Sequence, residues 1–337
     1  MTDPGRRRPA TIEDVAIRAG VSRAAVSKVM RNAYGVSDAM RERVNAAMAE
    51  LNYRPRIAAR AMRGQTYTIG VEIPDLGNQF LTRVVDGALA ALSGTAYQLI
   101  IAPAEAGTRE GLKAIEALVD RAVDGVLAVS PRVDPWVLER AVGGIPVVML
   151  GRHDNDANYD TVVGDDAAGT RSVMAHLFGL GHRRIAHLTI DEASTENRSA
   201  HGIRLRTYLE EMTLAGFAND IRVIRTGEGQ AAGSAAIRAA LDDDPTFTAV
   251  FGGHDELAIG ALRAVAESSA HIAVAGYDDV PIASHPALGL TTVRQPGAEM
   301  GARAIELLLE RMNGRDRAAH VAFTPELVVR TSTFPPG

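Results

Sequence analysis

The apolar residues of the first 64 positions recur at helical spacing, whereas those after residue 66 form short β-type runs separated by helical stretches. Near the start, Thr11 and Ser22 each precede an apolar-periodic segment, where a hydroxyl can cap a helix. Gly20 lies between these segments and permits a tight turn, because glycine tolerates a positive φ. The pattern predicts three helices, which begin near Ile12, Arg23 and Ser37 and end near Ala19, Met30 and Leu51.

Two short helices joined by a tight turn are typical of the helix-turn-helix, which places its second helix in the DNA major groove. Val26 and Val29 would face inward on that second helix. The side chains that remain to face DNA are Arg23, Ala24, Ala25, Ser27, Lys28 and Arg31. Arg23 suits guanine, Ala24 suits a thymine methyl, and Lys28 suits a base or a phosphate. A plain helical hairpin without a nucleic-acid partner is the alternative.

The segment NYRPRIAARAMRGQ predicts a short helix that Pro55 opens and that ends by residue 64. So short a helix is unstable alone and would order against another surface, such as DNA. Met62, an apolar side chain near Arg60 and Arg63, suits a minor-groove wedge flanked by phosphate contacts. A linker residue packed on its own domain is the alternative.

The longer part of the chain alternates apolar runs with amphipathic stretches, which predicts parallel strands covered by helices on both faces. Strands are predicted over 68–74, 97–103, 125–130, 145–150, 184–190, 221–226, 248–253 and 272–278. Helices are predicted over 80–93, 108–121, 167–179, 199–215, 231–241, 256–267 and 297–313. This length favours two α/β lobes over one sheet. Such lobes bind ligands at the carboxyl ends of their strands, so the cleft candidates are Asp75, Ser130, Gly151, His254, Asp255 and Asp278.

Charge separates the same two parts of the 337-residue chain. Residues 1–64 contain 13 Lys and Arg against 6 Asp and Glu, and the remaining residues contain 23 against 35. A small basic domain is therefore joined to a large acidic one, which suits a module that binds a polyanion. A basic tail without any partner is the alternative that charge alone leaves open.

Several classes of protein are excluded or disfavoured. The sequence has no cysteine, which excludes disulfides, thiolate metal sites, iron–sulfur clusters and cysteine nucleophiles. The P-loop, nucleophile-elbow and zinc-protease motifs are absent from it. It has no apolar run of about 18 residues and no apolar signal core. We expect a cytoplasmic protein without a membrane partner, a cofactor or enzymatic activity.

One acidic segment imitates a calcium loop. Its alternating oxygen-bearing residues are Asp154, Asp156, Asn158 and Asp160. Tyr159 stands where that loop needs glycine, and Asp165 stands where it needs glutamate. We therefore predict a solvated connection between the lobes rather than a metal site. The histidines at 176, 182 and 187 are likewise predicted to be helix-end and strand residues.

Along nearly all its length, the sequence resembles the lactose-repressor/galactose-repressor (LacI/GalR) family of bacterial transcription regulators. The segments that carry the resemblance are TIEDVAIRAGVSRAAVSKVM, VSDAMRERV, ELNYRP, IGVEIPDLGNQF, VDGVLAVS, GIPVVML, LGHRRIAHL, HDELAIGAL, VAGYDDV and LTTVRQP. The resemblance implies a helix-turn-helix headpiece and a type I periplasmic-binding-protein-like body of two α/β lobes. The implied boundaries are a basic arm over 1–10, the headpiece over 11–55, a hinge helix and linker over 56–66, and the body over 67–334. Within the body, lobe 1 would contain about 67–164 and 296–323, and lobe 2 about 165–292 and 324–334.

The resemblance also assigns DNA-binding residues. Arg23 and Ala24 fall on the family's base-reading pair, Lys28 falls where arginine is common, and Met62 falls on the intercalating leucine. Methionine has less shape definition than leucine, which leaves the preferred central base step of the operator open. The remaining residues of the expected DNA-binding set are Thr11, Ser22, Asn32, Tyr53, Arg56 and Ala59.

In the cleft, Arg204 matches the family's effector-clamping arginine, and Asp278 matches an acid that holds ligand hydroxyls. Arg204 and Asp278 could instead pair with each other when no ligand is bound. The full expected effector set is Asp75, Phe80, Ser130, Arg204, Glu228, His254, Asp255 and Asp278. His254 replaces the usual asparagine, and Glu228 falls where several members place a ring that stacks on the effector. These departures favour a more polar or amine-bearing ligand, or an unfilled or remodelled pocket.

Together these features predict a sequence-specific regulator, expected to be a repressor, that binds a pseudo-palindromic double-stranded DNA operator as a homodimer. A small-molecule effector between the lobes, a sugar or related polar metabolite, would control its operator affinity. No leucine-rich heptad tail follows the last strand, which favours a dimer over a dimer of dimers. A solute-binding protein of a transport system and an enzyme on the same lobes are the alternatives.

Overall fold

A computed structural model describes residues 8, 10–30, 33–53, 65–104, 111–154, 158–190 and 198–336. The chain divides into two compact units, with the boundary after Thr66. Several predicted DNA-binding residues lie outside the described residues, namely Arg31, Asn32, Arg56, Ala59, Arg60, Met62 and Arg63. The predicted hinge helix over 56–64 falls there as well.

The first unit contains three helices in its described part. They are α1 (Ile12–Ala19), α2 (Arg23–Met30) and α3 (Asp38–Glu50). Thr11 caps α1 through a reciprocal pair of hydrogen bonds with Asp14, and Gly20 ends the helix at φ 64°. A small core joins all three helices, with Val15, Val26 and Val44 completely buried. The predicted helix-turn-helix is therefore present.

The second unit begins with a six-stranded parallel sheet, which we call lobe 1 together with its helices. Its strands, in chain order, are β1 (Thr68–Ile73), β2 (Gln98–Pro103), β3 (Gly125–Val129), β4 (Val147–Leu150) and β5 (Asp160–Gly164), to which β11 (His320–Phe323) is added later in the chain. They lie in the order β11-β5-β4-β3-β1-β2. The helices that cover this sheet are α4 (Gln79–Ala91), α5 (Leu112–Asp120), α6 (Pro135–Val142) and α11 (Gly297–Met312).

Lobe 2 contains a four-stranded parallel sheet and the helices around it. Its strands are β6 (Ile185–Ile190), β7 (Arg222–Thr226), β8 (Ala249–Gly252) and β9 (Ala273–Ala275), in the order β7-β6-β8-β9. Its helices are α7 (Asp166–Gly179), α8 (Ala200–Leu214), α9 (Gly229–Asp243) and α10 (Asp255–Ala266). Both sheets bury continuous apolar strands, as parallel sheets covered on both faces do.

Three segments connect the lobes, because the chain passes between the two sheets after β5, after β9 and after β11. The second and third connections contain β10 (Thr292–Arg294) and β12 (Glu326–Val328), which pair antiparallel.

In the described part of the chain, no helix combines the length and apolar character needed to cross a membrane.

The α/β architecture predicted from the alternating pattern is confirmed, and most predicted helices and strands lie within a few residues of the observed ones. Five elements were not predicted, namely α6, β5, β10, β11 and β12. The strands among them have three to five residues and each begins with a polar residue, so they do not stand out as apolar runs.

The predicted solvated connection around the calcium-like segment is wrong at both of its ends. Asp160 is completely buried at the start of β5, where it pairs with Arg311 and Arg315. Asp154 is only 12% exposed and pairs with Arg152 at 2.7 Å. These carboxylates pair with buried or half-buried arginines, which spacing in the sequence could not reveal. Asp156 lies outside the described residues, and the described part of the chain contains no cluster of three side chains able to hold a metal ion.

Candidate DNA-binding face and effector cavity

The outer face of α2 carries the residues that the sequence pattern assigned to DNA. Arg23, Ala24 and Lys28 are exposed, whereas Ala25 and Ser27 are half-buried. Val26 and Val29 are buried on the opposite side, against the other two helices. The amphipathic pattern of α2 therefore leaves one polar, basic face outside the core.

Two hydroxyls in the predicted DNA-binding set cap helices. Ser22 accepts a hydrogen bond at 3.1 Å from the backbone N–H of Ala25, and Thr11 caps α1 as described above. Arg23, at the start of α2, forms an ion pair with Glu13 of α1 at 3.2 Å. Both side chains are more than half exposed, so this contact is easily exchanged for another partner.

A cavity of about 100 Å³ lies between the lobes, at the carboxyl ends of both sheets. The structure brings seven of the eight predicted effector residues to its walls, namely Asp75, Phe80, Ser130, Arg204, Glu228, His254 and Asp278. All of them except Phe80 and Arg204 follow a parallel strand. They lie close together because the carboxyl ends of parallel strands meet at the same edge of a sheet. Phe80 belongs to the first turn of α4 and Arg204 to the first two turns of α8.

Arg204 is held rigidly at the cavity wall. Its Nε and Nη2 donate to the same carboxylate oxygen of Asp166 at 2.8 and 2.7 Å, and its Nη1 donates to the carbonyl oxygen of Gly253 at 2.6 Å. The guanidinium also stacks 3.6 Å from the centre of the Tyr277 ring. Burial opposes ionisation of Asp166, but Arg204 and His153 together hold the pKa of Asp166 below its usual value.

Asp278 Oδ1 lies 3.9 Å from Nη2 of Arg204, so these two side chains form a long ion pair, which is the pairing expected when no ligand is bound. The same Oδ1 also accepts a hydrogen bond from the amide of Gln295 at 2.7 Å. Its backbone has φ 119°, a conformation that few residues other than glycine adopt. Burial raises the pKa of Asp278 to about 7.

Asp255 is the predicted effector residue that does not line the cavity. Its carboxylate is completely buried and accepts hydrogen bonds from the backbone of Val280 at 2.9 Å and from the hydroxyl of Thr292 at 2.5 Å. Asp255 therefore joins the loop that contains Asp278 to the second connection between the lobes. Its position after a strand suggested a ligand contact, whereas the structure gives it a supporting role.

Glu228 and His254 meet on the lobe 2 side of the cavity, where Glu228 Oε2 lies 3.4 Å from His254 Nε2. The ring of His201 packs edge-on against that of His254, with centroids 5.1 Å apart. Burial lowers the pKa of His254 to about 3 and that of His201 well below its usual value. Both rings are therefore neutral at pH 7.

Six polar residues on the walls were missed by sequence reasoning, namely Glu72, Asn78, Arg132, Asp166, His201 and Gln295. Glu72 interrupts the apolar strand β1, is 1% exposed, and accepts a hydrogen bond from the backbone of Val129 at 3.0 Å. A single acid within an otherwise apolar strand was the available signal for it. No comparable pattern marks the other five.

Comparison with protein families gives two matches. Residues 11–56 match the family described as bacterial regulatory proteins, lacI family. Residues 174–333 match the family described as periplasmic binding protein-like domain.

Individual relatives match over nearly the whole chain. The HTH-type transcriptional regulator CelR of Thermobifida fusca is 33% identical, over 97% of this chain and 99% of its own. The ribose operon repressor of Escherichia coli K12 is 32% identical, over 96% of this chain and 99% of its own.

Solved structures agree with these matches. A lac repressor dimer bound to operator and an anti-inducer gives a TM-score of 0.78 at 27% identity, covering 97% of this chain and all of that one. A CelR–cellobiose complex gives 0.69 at 29% identity, covering 96% of this chain and all of that one. The chain therefore belongs to the lacI family of bacterial regulatory proteins, and it is a DNA-binding regulator of transcription with a periplasmic-binding-protein-like domain, not an enzyme.

Proposed function

We propose that the protein represses transcription by binding a pseudo-palindromic operator as a homodimer, and that a small polar metabolite in the interlobe cavity sets its operator affinity. The observation that carries this proposal is the presence, in one chain, of an exposed basic face on α2 and a cavity on whose walls polar side chains such as Arg204 are held in place. In this proposal residues 11–55 read DNA, 56–66 form the hinge, and 67–334 bind effector and dimerise. Such a regulator works in the cytoplasm, where its DNA lies.

On the operator, Arg23 would form a bidentate contact with guanine, and Ala24 would contact a thymine methyl. Lys28, farther along the exposed face of α2, would hold the phosphate backbone. The N-termini of α1 and α2, capped by Thr11 and Ser22, suit backbone N–H contacts to phosphate. In the hinge, Met62 would open a base step in the minor groove while Arg60 and Arg63 hold the flanking phosphates.

Exposed apolar side chains of the second unit support a homodimer. Ile101 is 41% exposed on β2, which is an edge strand of the lobe 1 sheet, and Leu89 is 50% exposed on α4. Ile282 is 40% exposed in lobe 2. An edge strand with an exposed isoleucine is a surface that proteins usually cover. The related lac repressor is a dimer on its operator, which supports the same arrangement here.

The relatives support a sugar-type effector. One is named for the ribose operon, and another was solved with cellobiose. Each terminal nitrogen of Arg204 has two N–H groups, one of which donates to Gly253 (from Nη1) or Asp166 (from Nη2). The second N–H on each nitrogen can donate to a ligand oxygen. Because residues from both lobes line the cavity, a ligand there would favour one lobe arrangement over others and so change the operator-binding state.

Selection of bound fragments from a randomised duplex library tests the DNA part. The purified full-length protein is used at about 0.15 M salt, where non-specific phosphate binding is weak. We expect an enriched pseudo-palindrome, and a search of the source genome for it names the genes whose metabolites are candidate effectors. Absence of enrichment both without and with added cell metabolites would contradict the proposal and favour a solute-binding protein.

A further inference from the structure

Arg23, the residue proposed to read a base, is contacted by an acid of the preceding helix. Its Nε lies 3.2 Å from Oε2 of Glu13, in the first turn of α1. Neither terminal nitrogen of Arg23 forms an ion pair or a hydrogen bond with the residues that the structure describes. The contact with Glu13 thus occupies one edge of the guanidinium and leaves available the end that carries the two terminal nitrogens.

The backbone fixes Glu13 and Arg23 relative to each other. Gly20 ends α1 at φ 64° and begins the tight turn into α2. Val15, two residues after Glu13, and Val26, three residues after Arg23, are both completely buried in the core that the three helices share. The two charged side chains are therefore attached to packed helices, and their contact does not depend on the position of a loose segment.

Asp14, the residue next to Glu13, has a different role. Its carboxylate accepts from the backbone N–H and from the hydroxyl of Thr11, both at 2.7 Å. These hydrogen bonds hold the pKa of Asp14 below its usual value. The cap of α1 thus uses Asp14 rather than Glu13. The carboxylate of Glu13 is not needed for the cap and remains available to Arg23.

The ion pair is compatible with guanine recognition. Arginine reads guanine through two parallel hydrogen bonds, to O6 and N7. The guanidinium can donate this pair either from its two terminal nitrogens or from Nε together with one of them. With Nε of Arg23 beside Glu13, the pair from the terminal nitrogens remains. Guanine can therefore bind without loss of the ion pair, and a side chain that is already held loses less rotamer freedom on binding.

The same carboxylate makes a phosphate partner less favourable for Arg23. A phosphate at this guanidinium would lie close to the negative charge of Glu13, and like charges repel each other. The O6 and N7 atoms of guanine are neutral acceptors and are not repelled in this way. Because a phosphate contact carries no sequence information, a carboxylate that disfavours it increases the share of base reading.

We propose that Glu13 is a positioning residue for Arg23, which orients the guanidinium for guanine and disfavours its binding to phosphate. This inference rests on the proposed function, because it assumes that Arg23 reads a base of the operator. The ion pair is exposed, so we expect it to contribute about two- to fivefold to discrimination at that base pair of each half-site.

Binding of the full-length protein to three duplexes tests the inference. They are the operator enriched from the randomised library, the same operator changed at the base pair where Arg23→Ala loses discrimination, and an unrelated duplex of equal length. Glu13→Ala removes the carboxylate. Glu50→Ala is the matched control, because Glu50 is 53% exposed in an ion pair with Arg18, and neither of these residues belongs to the expected DNA-binding set.

We expect Glu13→Ala to discriminate less between the first two duplexes and to bind the unrelated duplex at least as tightly as the unmodified protein does. General damage to the headpiece would instead weaken binding to all three duplexes. In the Arg23→Ala background the same substitution should change discrimination no further, because its effect passes through Arg23. Glu50→Ala should discriminate like the unmodified protein.

Unchanged discrimination by Glu13→Ala, or an equal loss of affinity for all three duplexes, would overturn the proposal while leaving base reading by Arg23 intact. The proposal would also be overturned by a loss of the same size in the Arg23→Ala background or in Glu50→Ala. If Arg23→Ala itself lost discrimination at no base pair, the base-reading part of the proposed function would be contradicted instead.

Discussion

Arg204 and Asp166 form a buried ion pair on the cavity wall, with side chains that are 4% and 1% exposed and Nη2 and Oδ1 2.7 Å apart. The other oxygen of Asp166 lies 2.6 Å from Nε2 of His153, which follows β4 of lobe 1. The backbone N–H of His153 also donates to the carbonyl oxygen of Arg198 at 2.7 Å. One carboxylate of lobe 2 therefore orients the arginine proposed to hold the effector and also contacts lobe 1.

Asp166→Asn should destabilise the protein by about 3–5 kcal/mol, because it removes the charged partner that lies closest to the buried guanidinium of Arg204, at 2.7 Å. The measurement is urea unfolding followed by circular dichroism. Asp165→Asn is the matched control, since Asp165 caps α7 by accepting from the backbone of Ala168, and asparagine caps as well. The free energy of unfolding of the control should change little. A similar loss of unfolding free energy in both variants would contradict the expected contribution of the Asp166–Arg204 ion pair to stability.

Arg23→Ala should reduce discrimination at one base pair of each operator half-site by about 1–3 kcal/mol, because a bidentate base contact is lost. Lys28→Ala should instead weaken binding to all sequences and reduce the slope of log affinity against log salt by about one unit for each protomer. Binding to the selected operator and to single-base variants, measured over a range of salt, checks both. A uniform loss on every sequence for the Arg23 variant would remove its role in base reading.

Asp278 should make stability fall as pH rises. Its pKa of about 7 in the folded protein lies above the ordinary value of 3.8, so between these values the folded state binds more protons than the unfolded state. The contribution of Asp278 to stability is therefore fully present below about pH 4 and is lost as the pH rises to about 7. Asp278→Asn removes this titration and can still accept from Gln295, so its unfolding free energy should depend less steeply on pH in that window. Parallel curves for both proteins across about pH 4 to 8 would contradict the prediction.

Gly87→Ala should cost about 3 kcal/mol, because a Cβ at this position of α4 would overlap the carbonyl oxygen of Ala298 in α11. Gly301 of α11 approaches the backbone of Val84 in the same way, so the two helices are in close backbone contact. Gly179→Ala is the control, since a Cβ there meets nothing within 4 Å at the end of α7. The control should lose no stability in thermal unfolding, and an equally small change in Gly87→Ala would show that the helices can separate at little cost.

The fold was largely predictable from sequence because its signals are local. Thr11 and Gly20 mark the ends of α1 through capping and backbone conformation, and the apolar runs mark the buried strands. Ser130 and Asp278 were predicted to lie at the cavity because each follows a strand, and both line it. Strand-end residues are largely predictable because parallel strands bring their carboxyl ends to one edge of the sheet, although Asp255 follows β8 and does not line the cavity.

Contacts between distant segments were not predictable. Asp166 is one of two adjacent aspartates, and nothing in its neighbourhood distinguishes it from the helix cap Asp165. Its role depends on Arg204, 38 positions later in the chain. Asp160 is likewise defined by Arg311 and Arg315, about 150 positions away, and its neighbours in sequence suggested a solvated loop. The role of a buried charge depends on its partner, and a local sequence pattern does not include a partner that is distant along the chain.

The three connections between the lobes limit how the protein can respond to an effector. Because β10 and β12 pair with each other, the second and third connections act as one short ribbon beside the first. Sliding of one lobe past the other would stretch all three segments at once, whereas rotation about an axis through them requires only small dihedral changes in each. Rotation that changes the angle between the lobes is therefore the motion that the three connections resist least. An effector has to change that angle in order to change operator binding.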